Sequence, residues 1–506
     1  MSASGEPPVQ AAPMALREML KGVGLRGELT PDMAGINVSG LEYDSRRVEK
    51  DYVFFAFSGT RVDGRSFAAD ALARGACAVV SDLPPPAGFT GLWIEVEHGR
   101  QALATAARNF YSRPDERVFL TGITGTNGKT TTSHIVDSIL REAGFVTGLI
   151  GTIEYRLAGQ ARAALNTTPE SLDVLRFAFE LEKAGGSHLT LEVSSHALAL
   201  GRVYGVRFHT AVFTNLTRDH LDFHRTMEEY AAAKRMLFVP PEGPAPKWAV
   251  LNMDDPWTAS LPLAGSHAVF YGLSRDAELR AERVTSGFEG LKFDLRYKSA
   301  RHRIESALAG RMNVFNILAA AGVGLSYGLD LAAIARGIAA CRAVPGRFER
   351  IDYGQPFLVA VDYAHTDDAL RNVIQAARPL AKGRVITLFG CGGDRDRTKR
   401  PLMGMAAAEL SDFVVLTSDN PRSEDPLDIM NDAIVGLSRF DTPHVAEPDR
   451  AKAIRLAIQE ARPGDVVLLA GKGHETYQIL KDRTIAFDDR ETARRVLRSL
   501  GYEKGA

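Results

Sequence analysis

Apolar positions recur along this chain with two different periods. Short apolar runs at 118–120, 188–193 and 211–213 predict strands, and the second alternates through Leu189, Leu191 and Val193. Segment 130–143 has the helical period, with Ile135, Val136, Ile139 and Leu140 on one face and Gly144 as its stop. Three more apolar strands, at 384–389, 413–417 and 466–470, are separated by helical patterns. Strands alternating with helices predict an α/β protein, with parallel sheets covered by helices.

Two polar, turn-forming stretches interrupt the pattern. They are Ser112-Arg113-Pro114-Asp115-Glu116 and Pro345-Gly346-Arg347. They predict domains at 14–113, 114–344 and 345–506, behind a small-residue, Pro-rich tail at 1–13 that reads as disordered. The full length of 506 residues agrees with about three cores.

Composition narrows the function classes. With 45% hydrophobic and 24% charged residues the chain reads as a soluble globular protein. A net charge of -1 gives no global field for nucleic acid or an anionic membrane. The longest apolar stretch, 316–329, is broken by Gly322, Gly324, Ser326 and Gly328, so no membrane insertion is expected. Cys77, Cys341 and Cys391 are odd in number and far apart, which fits neither a disulfide framework nor zinc spacing. A reducing, cytoplasmic location is expected, and the start of the chain lacks the basic and apolar blocks of a signal peptide.

The chemistry begins where the 118–120 strand meets Gly-Ile-Thr-Gly-Thr-Asn-Gly-Lys-Thr-Thr-Thr at 122–132, which opens the 130–143 helix. Glycines let backbone N–H groups approach phosphate oxygens, Lys129 neutralises charge, and Thr130 offers a hydroxyl to Mg²⁺. The spacing departs from the common pattern, which wants glycine at Ile123. A glycine turn without a ligand is the competing reading, but strand, lysine and helix together favour a nucleotide. A nucleotide loop does not name a reaction.

Two further strand ends open toward that loop. One carries Leu191-Glu192-Val193-Ser194-Ser195-His196, the other Thr214 to His224 with Asp219-His220 inside. Glu192 and His220 suit a metal, and a carboxylate with an imidazole points to a second cation that positions another substrate. The alternative is that His196 and His220 cap turns. Lys234 lies in a helical pattern and reads, on chemistry alone, as a solvated helix lysine. In the last region the strand ends bring Arg395, 419–422 and His474-Glu475 to one sheet edge. Arg422 reads equally as a ligand-gripping side chain or as half of a structural ion pair.

The motifs TGTNGKTTT, LEVSSHAL, NLTRDHLDFH, GRFE, DYAHT and AGKGHE, in this order, resemble the Mur ligases of peptidoglycan synthesis. The resemblance runs from Asp44-Ser45-Arg46 to the last domain. Asp419-Asn420-Pro421-Arg422 resembles the diaminopimelate signature of the members that add the third peptide residue. It implies an N-terminal α/β domain for the UDP-substrate, a central P-loop sheet domain for ATP, and a C-terminal Rossmann-like domain for the amino acid.

The implied reaction joins meso-2,6-diaminopimelate to UDP-N-acetylmuramoyl-L-alanyl-D-glutamate, with ATP and two Mg²⁺. Gly125, Thr126, Asn127, Gly128, Lys129, Thr130 and Thr131 would bind the phosphates, and Asn313, Arg347 and Asp362 the rest of ATP. Lys129, Glu192, His220 and Lys234 match the catalytic set. Thr130, Glu192, His220 and Lys234 match the metal set, with Lys234 as a carbamate (N6-carboxylysine), which displaces the solvated reading. Tyr43, Ser45, Thr60, Arg61, Val62, Asn166, Thr167, Thr168, Ser194 and Arg202 match contacts to the UDP-sugar-peptide. Arg395, Asp419, Asn420, Pro421, Arg422, Gly471 and Glu475 match the diaminopimelate site, with Arg422 on the far carboxylate and Asp419 and Glu475 on the ammonium.

Departures from the family pattern are Asp367, where it has proline, and Leu200, where some relatives have a polar contact. A monomer acting on small molecules is expected. The alternatives are the same ligase using L-lysine, a dipeptide-adding or folate-polyglutamate ligase, or a nucleotide switch. Arg422 argues against the first two amino donors. The charged loops of the last region would go unused in a switch.

Overall fold

The chain's architecture was taken from a computed structural model that describes residues 11–59 and 62–503. Residues 1–10 of the expected tail, and Thr60 and Arg61, lie outside the described residues. Among the described residues no helix is long and apolar enough to cross a membrane.

Three sheets carry the functional loops. The first is parallel and four-stranded: Gly40–Glu42, Tyr52–Phe55, Ala76–Ser81 and Trp93–Glu95. The second has eleven strands. Its centre is parallel, in the order Thr147–Ile150, His188–Glu192, Phe119–Thr124, Thr210–Phe213, Trp248–Asn252 and His267–Gly272. The third has six strands, parallel except for Glu349–Ile351 at one edge: Leu358–Asp362, Val466–Ala470, Val385–Cys391, Phe413–Ser418 and His444–Ala446 follow it in order. The parallel strands are nearly continuous apolar runs because helices cover both faces.

The second sheet is more mixed than its apolar runs predict. Antiparallel hairpins extend both edges, Glu154–Leu157 with Gln160–Ala163 on one side and Leu279–Gly287, Gly290–Tyr297 and Ala300–Ser306 on the other. These strands are half exposed and rich in charge, with Arg296 and Arg301 paired across them to Glu282, which also pairs with Arg280 of its own strand, so they lack the apolar runs of the centre. The strand expected at 118–120 is Phe119–Thr124, which puts Gly122 inside a strand and shortens the phosphate loop to 125–128.

Helix Lys129–Glu142 buries Ile135, Val136, Ile139 and Leu140, as their spacing requires. Helix Met312–Ser326 is buried almost all round, which explains the apolar stretch at 316–329. Its glycines are packing positions: a Cβ on Gly322 would stand 2.6 Å from Val250, and one on Gly324 2.8 Å from Ile334. At the boundary into the last region Gly346 has φ +63, and a Cβ there would meet His474 N at 2.0 Å. Only glycine lets these two loops touch.

At the amino end of the central sheet His188 and His209 pack on Tyr327, with ring centroids 4.6 and 4.8 Å away. Tyr327 Oη is 2.7 Å from Thr121 Oγ1. Burial holds both imidazoles down to about 4, against 6.5 for a free histidine. Above pH 6.5 both states of the chain are neutral at these rings. Below it the unfolded chain takes up protons that the folded chain refuses, so stability falls as pH drops from 6.5 toward 4. Thermal melting across that range should show a falling Tm, with a shallower slope in His188→Phe. An unchanged slope in the variant would remove His188 from the account.

Candidate functional site

The strand Phe119–Thr124 ends in the 125–128 loop, and helix Lys129–Glu142 starts at once. Gly125 has φ +151 and Gly128 φ +87. A Cβ on Gly125 would stand 1.8 Å from Thr214 Oγ1, and one on Gly128 2.4 Å from Asn316 Oδ1. The loop is held from outside: Asn215 Oδ1 accepts from Asn127 N at 2.9 Å, Asn215 O accepts from Thr126 N at 2.8 Å, and Thr214 Oγ1 donates to Asn127 O at 2.6 Å. Lys129 Nζ crosses the loop to Gly125 O at 2.8 Å and Thr126 O at 2.9 Å. Burial pushes its ammonium below the usual lysine range, with Glu192 and Asp219 opposing. Thr131 is buried one residue beyond Thr130 in the helix.

Glu192 ends strand His188–Glu192 and is fully buried. Its Oε2 accepts from Thr130 Oγ1 and Thr152 Oγ1, both at 2.9 Å, and its Oε1 from Thr152 N at 3.0 Å. These partners are two hydroxyls and an amide, none charged. A buried carboxylate held so is a fit for a cation. Among the described residues no group of three His, Cys, Asp or Glu forms a ready metal cage. The expected donor set, a carboxylate and a hydroxyl beside the loop, suits Mg²⁺, which keeps waters and takes phosphate oxygens beside a few protein donors.

His220 heads the short helix Leu221–His224 with φ +54, and its Nε2 lies 3.4 Å from Asp219 Oδ2. Burial lowers it to about 4, with Asp219 opposing. Its ring stands 4.8 Å from His196 and 6.0 Å from Tyr230. The reading of Lys234 as solvated is wrong. Helix Met227–Arg235 turns Tyr230, Ala233 and Lys234 inward, and Lys234 is 1% exposed. Its Nζ lies 4.4 Å from the Tyr230 ring centroid. Burial, with Lys129 adding repulsion, drives it well below the usual lysine range.

Arg347 Nη2 donates to Thr130 Oγ1 at 3.1 Å, and its guanidinium lies 4.8 Å from the Tyr363 ring. Asp362 accepts from Phe348 N at 2.7 Å and Ala364 N at 2.9 Å, and burial raises it. Asn313 accepts from Asn316 Nδ2 at 2.9 Å, which ties it to the side chain facing Gly128. Two contacts missed in the sequence join the last region to this loop. Asp368 Oδ2 accepts from Thr217 Oγ1 at 2.7 Å and Asn127 Nδ2 at 3.3 Å, and Lys399 pairs with Asp219 at 3.6 Å. Asn215 and Asp368 both lie in or beside the quoted motifs, which was the available signal. Asp367 opens helix Asp367–Ala377, whose N-cap is Thr366, so the missing proline leaves the turn intact.

The sugar-peptide residues divide into two groups. Thr167 Oγ1 is 3.1 Å from Thr152 Oγ1, Thr168 Oγ1 donates to Glu192 O at 2.8 Å, Ser194 N donates to Thr168 Oγ1 at 3.0 Å, and Arg202 Nη1 donates to Thr168 O at 3.1 Å. These surround Glu192. Leu200 follows helix Ser195–Ala199 as its C-cap. Tyr43 and Ser45 belong to the first sheet's loops, and Val62 is exposed. Tyr43 Oη donates to Asp173 at 2.5 Å, and Tyr43 and Asn166 line one cavity of about 440 Å³.

In the last region the loops do converge. Asp419 and Asn420 are buried, Asn420 Nδ2 donates to Glu475 Oε2 at 2.9 Å, and a Cβ on Gly471 would stand 3.1 Å from Asp419 Oδ2. Arg422 Nη1 donates to Gly393 O at 2.7 Å, and among the described residues it has no carboxylate partner, which removes the structural ion-pair reading. A Cβ on Gly393 would stand 1.9 Å from Pro421 O, so these loops abut. Arg395 is exposed beside them and donates to Asp394 O at 3.0 Å. Asp419 and Glu475 are not both free for a substrate ammonium: Lys472 lies 3.3 Å from each. That lysine stands inside AGKGHE but was not singled out.

Three family models match the chain: "Mur ligase family, catalytic domain" at 37–111, "Mur ligase middle domain" at 123–324 and "Mur ligase, glutamate ligase domain" at 346–473. The chain belongs to the Mur ligase family. A relative in Solibacter usitatus named UDP-N-acetylmuramoyl-L-alanyl-D-glutamate–2,6-diaminopimelate ligase is 64% identical, over 97% of this chain and 100% of its own. A protein of the same name in Geobacillus thermodenitrificans is 47% identical over 90% and 94%. A solved structure of an enzyme of that name superposes with TM-score 0.69 at 31% identity, covering 97% of this chain and 100% of that one. The ADP complex of the MurF ligase from Thermotoga maritima shares the fold, with TM-score 0.61 at 19% identity over 86% and 94%.

Gly125→Ala should weaken ADP binding by roughly tenfold or more in calorimetry, because a strained φ alone costs about 1–3 kcal/mol and the added Cβ collides with Thr214. Unchanged affinity would mean that the loop does not hold the nucleotide in this form.

Proposed function

We propose that this chain is the ATP-dependent ligase that joins meso-2,6-diaminopimelate to UDP-N-acetylmuramoyl-L-alanyl-D-glutamate in peptidoglycan biosynthesis. It works in the cytoplasm as a monomer on small-molecule substrates, with domains divided at 14–113, 114–344 and 345–506. One observation carries the reading: the buried Glu192 carboxylate bonds both the phosphate-loop Thr130 and Thr152, which in turn touches Thr167. The nucleotide loop and the sugar-peptide loop thus meet at one anion. The high identity to relatives of that name supports the choice of substrates.

Hydroxide is a poor leaving group, so the D-glutamate carboxylate must be activated. Its oxygen attacks the γ-phosphorus of ATP, ADP leaves, and an acyl phosphate forms. Lys129 and the loop N–H groups offset charge during the transfer. The amine of diaminopimelate then attacks the acyl carbon, loses a proton, and phosphate leaves. Arg347, Asp368 and Lys399 hold the last region over the loop, which keeps water from the acyl phosphate. Asn313, Arg347 and Asp362 take the adenosine part of ATP.

Thr130, Glu192, His220 and a carbamylated Lys234 would hold two Mg²⁺, which would supply charge neutralisation and orientation. Burial disfavours the Lys234 ammonium, which suits carbamate formation: the free amine's nitrogen adds to CO₂ and releases a proton, which leaves an anionic oxygen donor. Arg422 takes the far carboxylate of diaminopimelate through two parallel bonds, and L-lysine would leave it without that partner.

Phosphate release should require both the UDP-sugar dipeptide and diaminopimelate. Release indifferent to both would indicate a switch. Lys234→Ala should lose nearly all turnover and regain part of it with added short carboxylates; full activity without them would exclude the carbamate. Arg422→Ala should lose most diaminopimelate ligation while ADP affinity persists, and near-normal turnover would refute its role in selection.

A further inference from the structure

Lys472 is the buried charge that the reaction above does not use. It is 0% exposed, at the carboxyl edge of the last sheet, one residue beyond Gly471. Its Nζ donates to Tyr477 O at 2.8 Å, Asn420 Oδ1 at 3.0 Å and Glu475 Oε2 at 3.3 Å. An ammonium has three N–H groups, and all three are committed. Asp419 Oδ1 also lies 3.3 Å from Nζ, yet it is buried and accepts no hydrogen bond. Lys472 therefore lends Asp419 its charge but no N–H.

The surroundings keep this arrangement in place. Ile479 N donates to Asn420 Oδ1 at 3.0 Å, and Gln478 Nε2 donates to Asp419 O at 2.6 Å. Because Asn420 Oδ1 faces Lys472, its amide N–H₂ must point at Glu475, at 2.9 Å. Beneath them Arg450, fully buried and paired with Asp489 at 2.6 Å, donates from Nη1 to Ser418 O at 3.3 Å and from Nη2 to Ala470 O at 3.0 Å, which fixes both strand ends. That pair is neutral as a unit. Asp419, Glu475 and Lys472 together leave one net negative charge and one acceptor, Asp419 Oδ1, without a hydrogen bond.

We propose that Lys472 is a positioning residue that sets amino-acid selectivity: it fixes the Asn420–Glu475 contact and limits Asp419 and Glu475 to a single uncompensated negative charge at the pocket. This rests on the reading that these loops take diaminopimelate. The far end of diaminopimelate carries an ammonium and a carboxylate and is neutral overall; that of L-lysine is a bare cation. Without Lys472 the pocket gains a negative charge, which favours the cation over the neutral pair. Arg422 recognises the carboxylate, and Lys472 keeps the pocket from rewarding its absence.

The test compares kcat/KM for diaminopimelate and for L-lysine in the full chain. In Lys472→Met the ratio should fall by about tenfold or more, as one charge at a few ångströms in a partly buried site requires, while ADP affinity stays unchanged. Lys472→Arg, which keeps the charge, should hold the ratio even if KM rises. Glu475→Gln, with one negative charge fewer, should move the ratio the other way, and it decides alone if Lys472→Met does not fold. A Lys472→Met enzyme that loses both substrates equally, or a ratio unmoved in Glu475→Gln, overturns the assignment. A wild-type chain that turns over without diaminopimelate instead overturns the reading of the site.

Discussion

A carboxylate taken wholly out of water must be answered by its surroundings, and among the described residues the Glu192 carboxylate takes its hydrogen bonds from hydroxyls and an amide, with the Lys129 ammonium acting on it through charge alone. That choice organises the central sheet's functional edge. Thr130 comes from the helix that follows the phosphate loop, and Thr152 from the segment after strand Thr147–Ile150. Both must reach inward for the anion to be tolerated. In the proposed reaction that charge would attract the cation that accompanies ATP.

The last region approaches that edge through side chains of opposite chemistry. Arg347 brings a cation to Thr130, Asp368 an acceptor to Thr217 and Asn127, and Lys399 a cation to Asp219. None is a large apolar contact. Such contacts are partly solvated and each is worth little, while Ala309, Phe288 and Met312 of the middle region pack into the apolar core of the last one.

Much of this was legible in the sequence because parallel strands bury both faces and announce themselves as apolar runs. Strand Val466–Ala470 matches its expected span, and the helix over Lys129–Glu142 shows its buried face in the spacing of four residues. The antiparallel edges were not legible, because half-exposed, charge-paired strands carry no apolar run. Lys234 was misread on chemistry alone for a related reason: a short helix with one polar and one functional face looks uniformly polar when its partner is a tyrosine ring four residues earlier. Lys472 escaped notice because a lysine between two glycines reads as loop surface, and only the fold places it beneath Asn420 and Glu475. The family resemblance supplied the roles that spacing could not.

Gly346 has a wider consequence. Chain segments around Gly346, Tyr363 and Gly473 meet with no room for a side chain on either glycine. This joint links the boundary into the last region directly to the loop that carries Lys472 and Glu475. In mechanical terms it is a bearing with no slack. Under the proposed reaction, a swing of the last region about that boundary would reach the loop of Lys472 and Glu475 in the same movement, so that delivery of the amine and sealing of the phosphate loop would be geared together and share one clock.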